Sequence, residues 1–395
     1  MTPQPVLPSI RAEGVAPFQV MRILERAKEL ERAGRDVIHM EVGEPDFATP
    51  EPVLKAARRA LEAVPMRYTP AAGLPELRAA IAGWYGRRYG LDVDPGRIIV
   101  TPGGSGGLQL VLAGLLDPGD GVLVTDPGYP CNRQLVSVVG GEAIAVPVSA
   151  ADGYCPRASD IEVVWGPRVR ALMVATPANP TGSVLSRSQL ADLYDFASAR
   201  GGALIVDEIY QGLVYDAEDH TVLSCGEDGL FVINSFSKYF GMTGWRLGWV
   251  VAPASFRDVL DRLAQNLFLA PPTLSQHAAL AALAPQTMPV LESRREAFRQ
   301  RRDALLAALA TVGVSVPVVP QGAFYAYARV PDGLEDGASV ARQLLEECAV
   351  AVTPGTDFGV NGTEHMLRFA YTLAPERLHE GVTRIAEFLA RRADA

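Results

Sequence analysis

The chain has 395 residues, 48% of them hydrophobic and 21% charged, with a formal net charge of −9. That composition suits a soluble globular protein with room for one large and one smaller domain. Without a basic arm or block the acidic balance excludes a nucleic-acid footprint, and no apolar run reaches the roughly 18 residues of a membrane span.

The N-terminal "MTPQPVLPSIRAEGVAPFQV" lacks the basic and apolar regions of a signal peptide, so the expected location is the cytoplasm. From Pro17 to Ala33, "PFQVMRILERAKELERA" places apolar residues at helical spacing, and Gly34 is a suitable C-cap. "VIHMEVGEPDFATP" reads as a short strand breaking into a Gly/Pro loop, and "EPVLKAARRALEA" as a helix with proline in its first turn. Next comes "RIIVTPGGSGGLQLVLAGLLDPGD", a strand, a glycine turn and a helix. "GVLVTDPGYP", "VRALMVATPANPTG", "GALIVDEIY" and "LFVINSFSK" are further apolar strands ending in polar or Pro/Gly loops, with helices such as "SRSQLADLYDFASARG" between them. This alternation predicts an α/β fold whose mostly parallel sheet is buried on both faces.

After about Pro285 the texture changes. A long charged helix, "MPVLESRREAFRQRRDALLAALATVG", is followed by "QGAFYAYARV", "SVARQLLEECAV", "HMLRFAYT" and a last helix, an α+β pattern with fewer strands. The expected organisation is a large domain over 49–285 and a smaller one over 286–395, which the N-terminal segment 1–48 joins. Cys131, Cys155, Cys225 and Cys348 show no CxxC and no metal-ligand spacing, as expected of packed thiols in a reducing compartment and of a chain without a metal site.

Polar and glycine residues recur where strands end: Gly103 to Ser105, Tyr129, Asn179, Asp207 and Lys238. Ligands of open α/β sheets bind outside the carboxyl ends of the strands, so these exits point to one shared site. Lys238 is a lone amine in "NSFSKYFGMTGWRLG", and Arg246 follows beyond a Gly-rich bend. Desolvation or a neighbouring cation lowers an amine's pKa and makes it a nucleophile toward carbonyls. The Gly-rich turn at Ser105 opens a helix, whose free amides favour a phosphate. It is neither a Walker loop nor a G-x-G-x-x-G turn. Asp207 is a carboxylate at a strand end that requires a partner, either a protonated ring nitrogen or an arginine.

An amine, a phosphate cradle, a carboxylate, a phenol and an amide together suit pyridoxal 5′-phosphate. The chain resembles the class I/II aminotransferases of the fold-type-I pyridoxal-phosphate enzymes, from about Pro17 to its end. "YTPAAGLPELRAAIA", "NPTG", "DEIY" and "SFSKYFGMTGWRLG" carry the likeness, in the family's order. The resemblance implies that Lys238 bonds the cofactor covalently and then moves the substrate proton, and that Asp207 pairs with the ring nitrogen. It implies Tyr210 and Asn179 on the ring oxygen, Tyr129 stacked on the ring, and Gly104, Ser105, Gly106, Ser235 and Arg246 on the phosphate. Arg368 would hold the substrate α-carboxylate, with the backbone of Gly43 closing over it. Tyr68 would reach the phosphate of a neighbouring subunit, which makes the expected unit a homodimer.

The expected reaction is a ping-pong transfer between an L-amino acid and a 2-oxo acid. In one subgroup an arginine just before a Pro-Pro step reads a distal carboxylate from the other subunit; here the matching "QNLFLAPPTLSQ" has no cation, and a wall of Leu267, Phe268 and Leu269 would favour neutral or apolar side chains. Glutamate and 2-oxoglutarate remain an expected partner pair. Two other readings stay open. A carbon–sulfur β-lyase would share the site, although such lyases tend to carry "NPHNP" where this chain has "NPTG". A non-catalytic cofactor-binding protein, as in some transcription regulators, would carry a DNA-binding domain of about 50 residues before the first helix.

Overall fold

A computed structural model describes residues 6–393. In chain order its strands are β1 (Ile38–His39), β2 (Ile98–Thr101), β3 (Gly121–Asp126), β4 (Glu142–Pro147), β5 (Val169–Ala175) and β6 (Ala203–Asp207). They continue as β7 (Leu230–Ser235), β8 (Gly248–Val251), β9 (Tyr325–Arg329), β10 (Val350–Ala351), β11 (Thr353–Pro354) and β12 (Met366–Ala370). Seven of them form one sheet in the order β2-β8-β7-β6-β5-β3-β4. Strand β8 runs antiparallel to both neighbours, and the other pairings are parallel, as the apolar runs predict.

Alternation along the strands explains why the sheet is buried on both sides. Leu204, Val206 and Val232 enter one apolar cluster, while Ile205, Phe231 and Ile233 enter another. Successive side chains of a strand point to opposite faces, so each face has its own core. The strands are Val-, Ile- and Leu-rich because a pleated surface covered by helices accepts branched side chains well.

Two antiparallel steps relate β2 to β8 and β8 to β7, so β2 points the same way as β6 and β7. The turn after β2, the end of β6 and the end of β7 therefore share one edge. A second sheet, β11-β12-β9, is antiparallel, and β1 pairs in parallel with β10, Ile38 opposite Val350.

The first long helix spans Gln19–Arg32, beginning two residues later than the periodicity suggests. The reason is distant in sequence: the Asp357 carboxylate accepts from the Gln19 and Val20 amides and caps the helix there. The helix Glu51–Ala63 carries proline in its first turn as predicted. The charged helix after Pro285 runs from Met288 to Thr311. No helix of the described residues is long and apolar enough to cross a membrane.

Candidate active site

The shared edge opens onto a cavity whose walls include Gly104, Ser105, Tyr129, Asp207, Ser235, Lys238 and Arg246. Lys238 follows β7 by three residues and donates from Nζ to the Gly43 carbonyl at 2.7 Å. The amine lies 5.9 Å from the centre of the Tyr210 ring and 5.7 Å from that of Phe324. Burial lowers its pKa to about 8, with Arg368 and Arg246 adding to the effect and Glu44 and Asp207 opposing it. Asp207, at the end of β6, accepts from the Ile209 amide at 3.1 Å. It is 3% exposed, and burial raises its carboxyl to about 7.

Glycine after β2 has a steric reason. Gly103 has φ +76°, and a Cβ there would stand 2.6 Å from Arg246 Nη2. Arg246 itself is left-handed (φ 52°), and its Nη1 donates to the Thr243 carbonyl at 3.1 Å. The bend thus lays the guanidinium against the glycine turn. Ser235 Oγ donates to Ser237 Oγ at 2.9 Å and accepts from the Ser237 amide at 3.1 Å, so Ser237 orders the loop that carries the lysine.

Arg368 lies on β12, 4% exposed, between the rings of Tyr325 and Phe358 at 4.3 and 4.8 Å. Nη1 donates to Asn179 Oδ1 at 2.9 Å, and Nη2 to the Glu41 carbonyl and to Thr353 Oγ1. These acceptors are neutral, and Nε has no partner among the described residues. A buried cation without an anion, with a donor to spare, is a seat for a carboxylate.

Several expected residues are placed otherwise. Gly106 does not line the cavity; it packs where a Cβ would meet Pro102 at 3.1 Å. Asn179 and Tyr210 stand beside the cavity, the first engaged by Arg368 and the second sharing a 2.8 Å bond with the Tyr325 hydroxyl. Tyr68 is 82% exposed, outside its own chain's cavity. Leu267 and Leu269 are exposed too, and neither they nor Phe268 line their own chain's cavity, which leaves them free to face another subunit. Leu269 adopts φ 65°, and this bend turns the chain at that point.

The family model "Aminotransferase class I and II" matches residues 35–385. The chain belongs to the class I and II aminotransferases. It is 37% identical to a valine–pyruvate aminotransferase of Mycobacterium tuberculosis, over 95% of this chain and 97% of that one. It is 36% identical to an aspartate/prephenate aminotransferase of Thermus thermophilus, over 97% and 99%. The crystal structure of an aminotransferase from Mycobacterium tuberculosis superposes with a TM-score of 0.94 at 36% identity, covering 98% of this chain and all of that one. The protein is therefore an aminotransferase of fold type I, and enzymes of this family depend on pyridoxal 5′-phosphate.

The residues present fit that cofactor. Asp207 is a buried carboxylate whose raised pKa asks for a cationic partner, and Lys238 is an amine partly relieved of its proton. The glycine turn leaves room beside Arg246 that any side chain would fill. Reading the sequence missed Tyr325, which bonds Tyr210, and Phe18, whose ring stacks on Tyr129 at 6.1 Å. The alternation in "FYAYAR" marks Tyr325 and Tyr327 as sharing one face of β9, but nothing local assigns that face to the site.

The Asp207 shift predicts how the cofactor-free protein responds to pH. A folded-state pKa above the unfolded value means that this group's contribution to stability falls as pH rises from about 4 to about 7. The penalty at pH 8 is at most roughly 4 kcal/mol. Cofactor-free Asp207→Asn should therefore melt a few degrees higher than cofactor-free wild type at pH 8, with the gap closing near pH 4. A gap independent of pH would show that the carboxylate is not desolvated in this way.

Proposed function

We propose that the enzyme moves an amino group between an L-amino acid with a neutral or apolar side chain and a 2-oxo acid by a ping-pong mechanism, with glutamate and 2-oxoglutarate as a partner pair. The observation that carries this reading is Arg368, a buried guanidinium with neutral partners and a free Nε. The cations lining the adjoining cavity are Lys238 and Arg246, both with other tasks, which leaves a side-chain carboxylate without a charge of its own there. The two relatives above carry different substrates in their names at nearly equal identity, so kinship alone does not choose the donor.

When bound, pyridoxal phosphate supplies an aldehyde for an amine and a ring that withdraws electrons from the substrate Cα. In this reading Lys238 Nζ takes the proton from that Cα and returns it, with its lowered pKa matched to proton transfer near neutrality. Asp207 would keep the ring nitrogen protonated, Tyr210 and Asn179 would bond the ring oxygen, and Tyr129 would cover the ring. Gly104, Ser105, Ser235 and Arg246 would hold the phosphate, with Gly106 in the same turn. Arg368 orients the α-carboxylate under Gly43. Each product leaves before the next substrate enters, so the same groups serve both half-reactions.

The same reading makes the active unit a homodimer, with Tyr68 of one subunit at the phosphate of the other. It also divides the chain into a larger unit over 49–285 and a smaller one over 286–395 joined by 1–48, a division supported by the pairing of β1 with β10.

Absorption spectra of the purified holoenzyme test the reaction. Single amino acids, added without an oxo acid, should remove the long-wavelength cofactor band and release one equivalent of 2-oxo acid per site. Neutral and apolar donors should respond at lower concentration than aspartate. Catalytic release of pyruvate and ammonia from a sulfur amino acid would instead favour the lyase reading.

A further inference from the structure

Beside the cavity, the stretch His39–Gly43 carries two charged side chains that the proposed reaction does not use. Glu41 is fully buried, and its Oε1 lies 2.7 Å from His39 Nδ1. The other ring nitrogen, Nε2, faces Glu31 Oε1 at 3.2 Å, on the helix Gln19–Arg32. These two carboxylates are the charged groups facing the ring, and the bond to Glu41 does most to raise the His39 pKa to about 9. His39 is therefore cationic at neutral pH and gives the buried Glu41 carboxylate its counter-ion. The second carboxylate oxygen, Oε2, has no partner, so the histidine is the side chain's one polar anchor among the described residues.

The main chain of the same residue reaches the site. The Glu41 carbonyl accepts from Arg368 Nη2, and from Thr353 Oγ1 at 3.0 Å. Upstream, the Met40 amide donates to Ala351 at 2.9 Å, and the Met40 carbonyl accepts from Ala370 at 2.7 Å. Downstream, the Gly43 carbonyl accepts from Lys238. Backbone pairing thus fixes the chain as far as Met40, and the Glu41 side chain is the next anchor before the active-site carbonyls.

We propose that the His39–Glu41 ion pair positions Arg368 by holding the Glu41 carbonyl, one of the acceptors that orient the guanidinium toward the substrate carboxylate. This rests on the reading of Arg368 as the carboxylate-binding residue. Both are positioning residues, since they act through Arg368. Removing the histidine strands a buried anion, which must take up a proton or move toward water, and either relaxes the carbonyl's position.

The test uses holoenzyme half-reactions with L-leucine and L-glutamate, and with isopentylamine, which is leucine without its carboxylate. His39→Gln should raise the half-saturating amino-acid concentration about tenfold, the scale of one weakened charged hydrogen bond. Its maximal rate and its rate with isopentylamine should stay within about threefold of wild type. The double variant His39→Gln/Glu41→Gln, with no buried charge, should recover most of the loss. Glu41→Ala, which removes the anchor without stranding a charge, should repeat the selective loss even if His39→Gln does not accumulate. Equal losses toward leucine and isopentylamine, or no recovery in the double variant, would overturn the proposal. So would unchanged half-saturation in His39→Gln and Glu41→Ala while Arg368→Ala raises it. Were Arg368→Ala itself without effect on amino acids, the reading of Arg368 would fail first and take this proposal with it.

Discussion

Lys238→Ala is expected to lower transamination by at least about 10³-fold, the upper part of the range for a positioned acid–base group, and to leave the fold intact. The size follows from the two tasks proposed for one amine. With a pKa of about 8, roughly one lysine in ten is neutral at pH 7, against about one in three thousand at the ordinary 10.5. Alanine has neither the nucleophile nor the proton carrier. The structural loss is a single hydrogen bond to the Gly43 carbonyl, worth about 1 kcal/mol, so circular dichroism and the melting midpoint should change little. Near-wild-type turnover would remove Lys238 from the mechanism. The variant also tests the proposed dimer. When Lys238→Ala chains are mixed with Tyr68→Phe chains under conditions that allow exchange, a mixed dimer has one site with an intact lysine and, if Tyr68 acts across the interface, an intact tyrosine. Cofactor affinity at that site should then return to the wild-type value. If Tyr68 served its own chain, mixing would restore nothing, although its 82% exposure in the single chain argues for the first outcome.

What could be read from the sequence divides along physical lines. Asp207 and Lys238 were legible because an apolar strand that stops at a charged residue is a local pattern, and the ends of parallel strands share an edge by geometry alone. The glycine turn was legible for a similar reason, but its details were not. Gly103 clears Arg246 and Gly106 packs on Pro102, and no spacing rule separates those tasks. Contacts across long sequence separations stayed hidden. The start of the first long helix depends on Asp357, and the orientation of Arg368 on Asn179 and Glu41. Each joins segments far apart in the chain that only the finished fold brings together. The stretch Leu267 to Leu269 shows the same limit, since these side chains do not line their own chain's cavity and a wall supplied to another subunit's site cannot be read within one chain.

Arg368→Ala should damage the half-reaction with amino acids far more than it weakens cofactor binding. The guanidinium offers a carboxylate charge-assisted hydrogen bonds, each worth about 1.5–3 kcal/mol, so losing two predicts a fall in kcat/KM of roughly 10²–10⁴-fold. Cofactor affinity should change by no more than about threefold, because Arg368 reaches the groups proposed to hold the cofactor only through its hydrogen bond to Asn179. Arg368→Lys keeps the charge but loses the planar fork, and belongs in between. The decisive comparison is with isopentylamine, which presents the same amine and side chain as leucine without the carboxylate. Loss of the carboxylate contact cannot slow a substrate that has no carboxylate, so the ratio of the two rates should collapse in the alanine variant. If both rates fell together, Arg368 would be supporting the site at large rather than gripping the substrate. Its free Nε points to the grip: an arginine whose task was structural, buried this deeply, would be expected to have used that donor already.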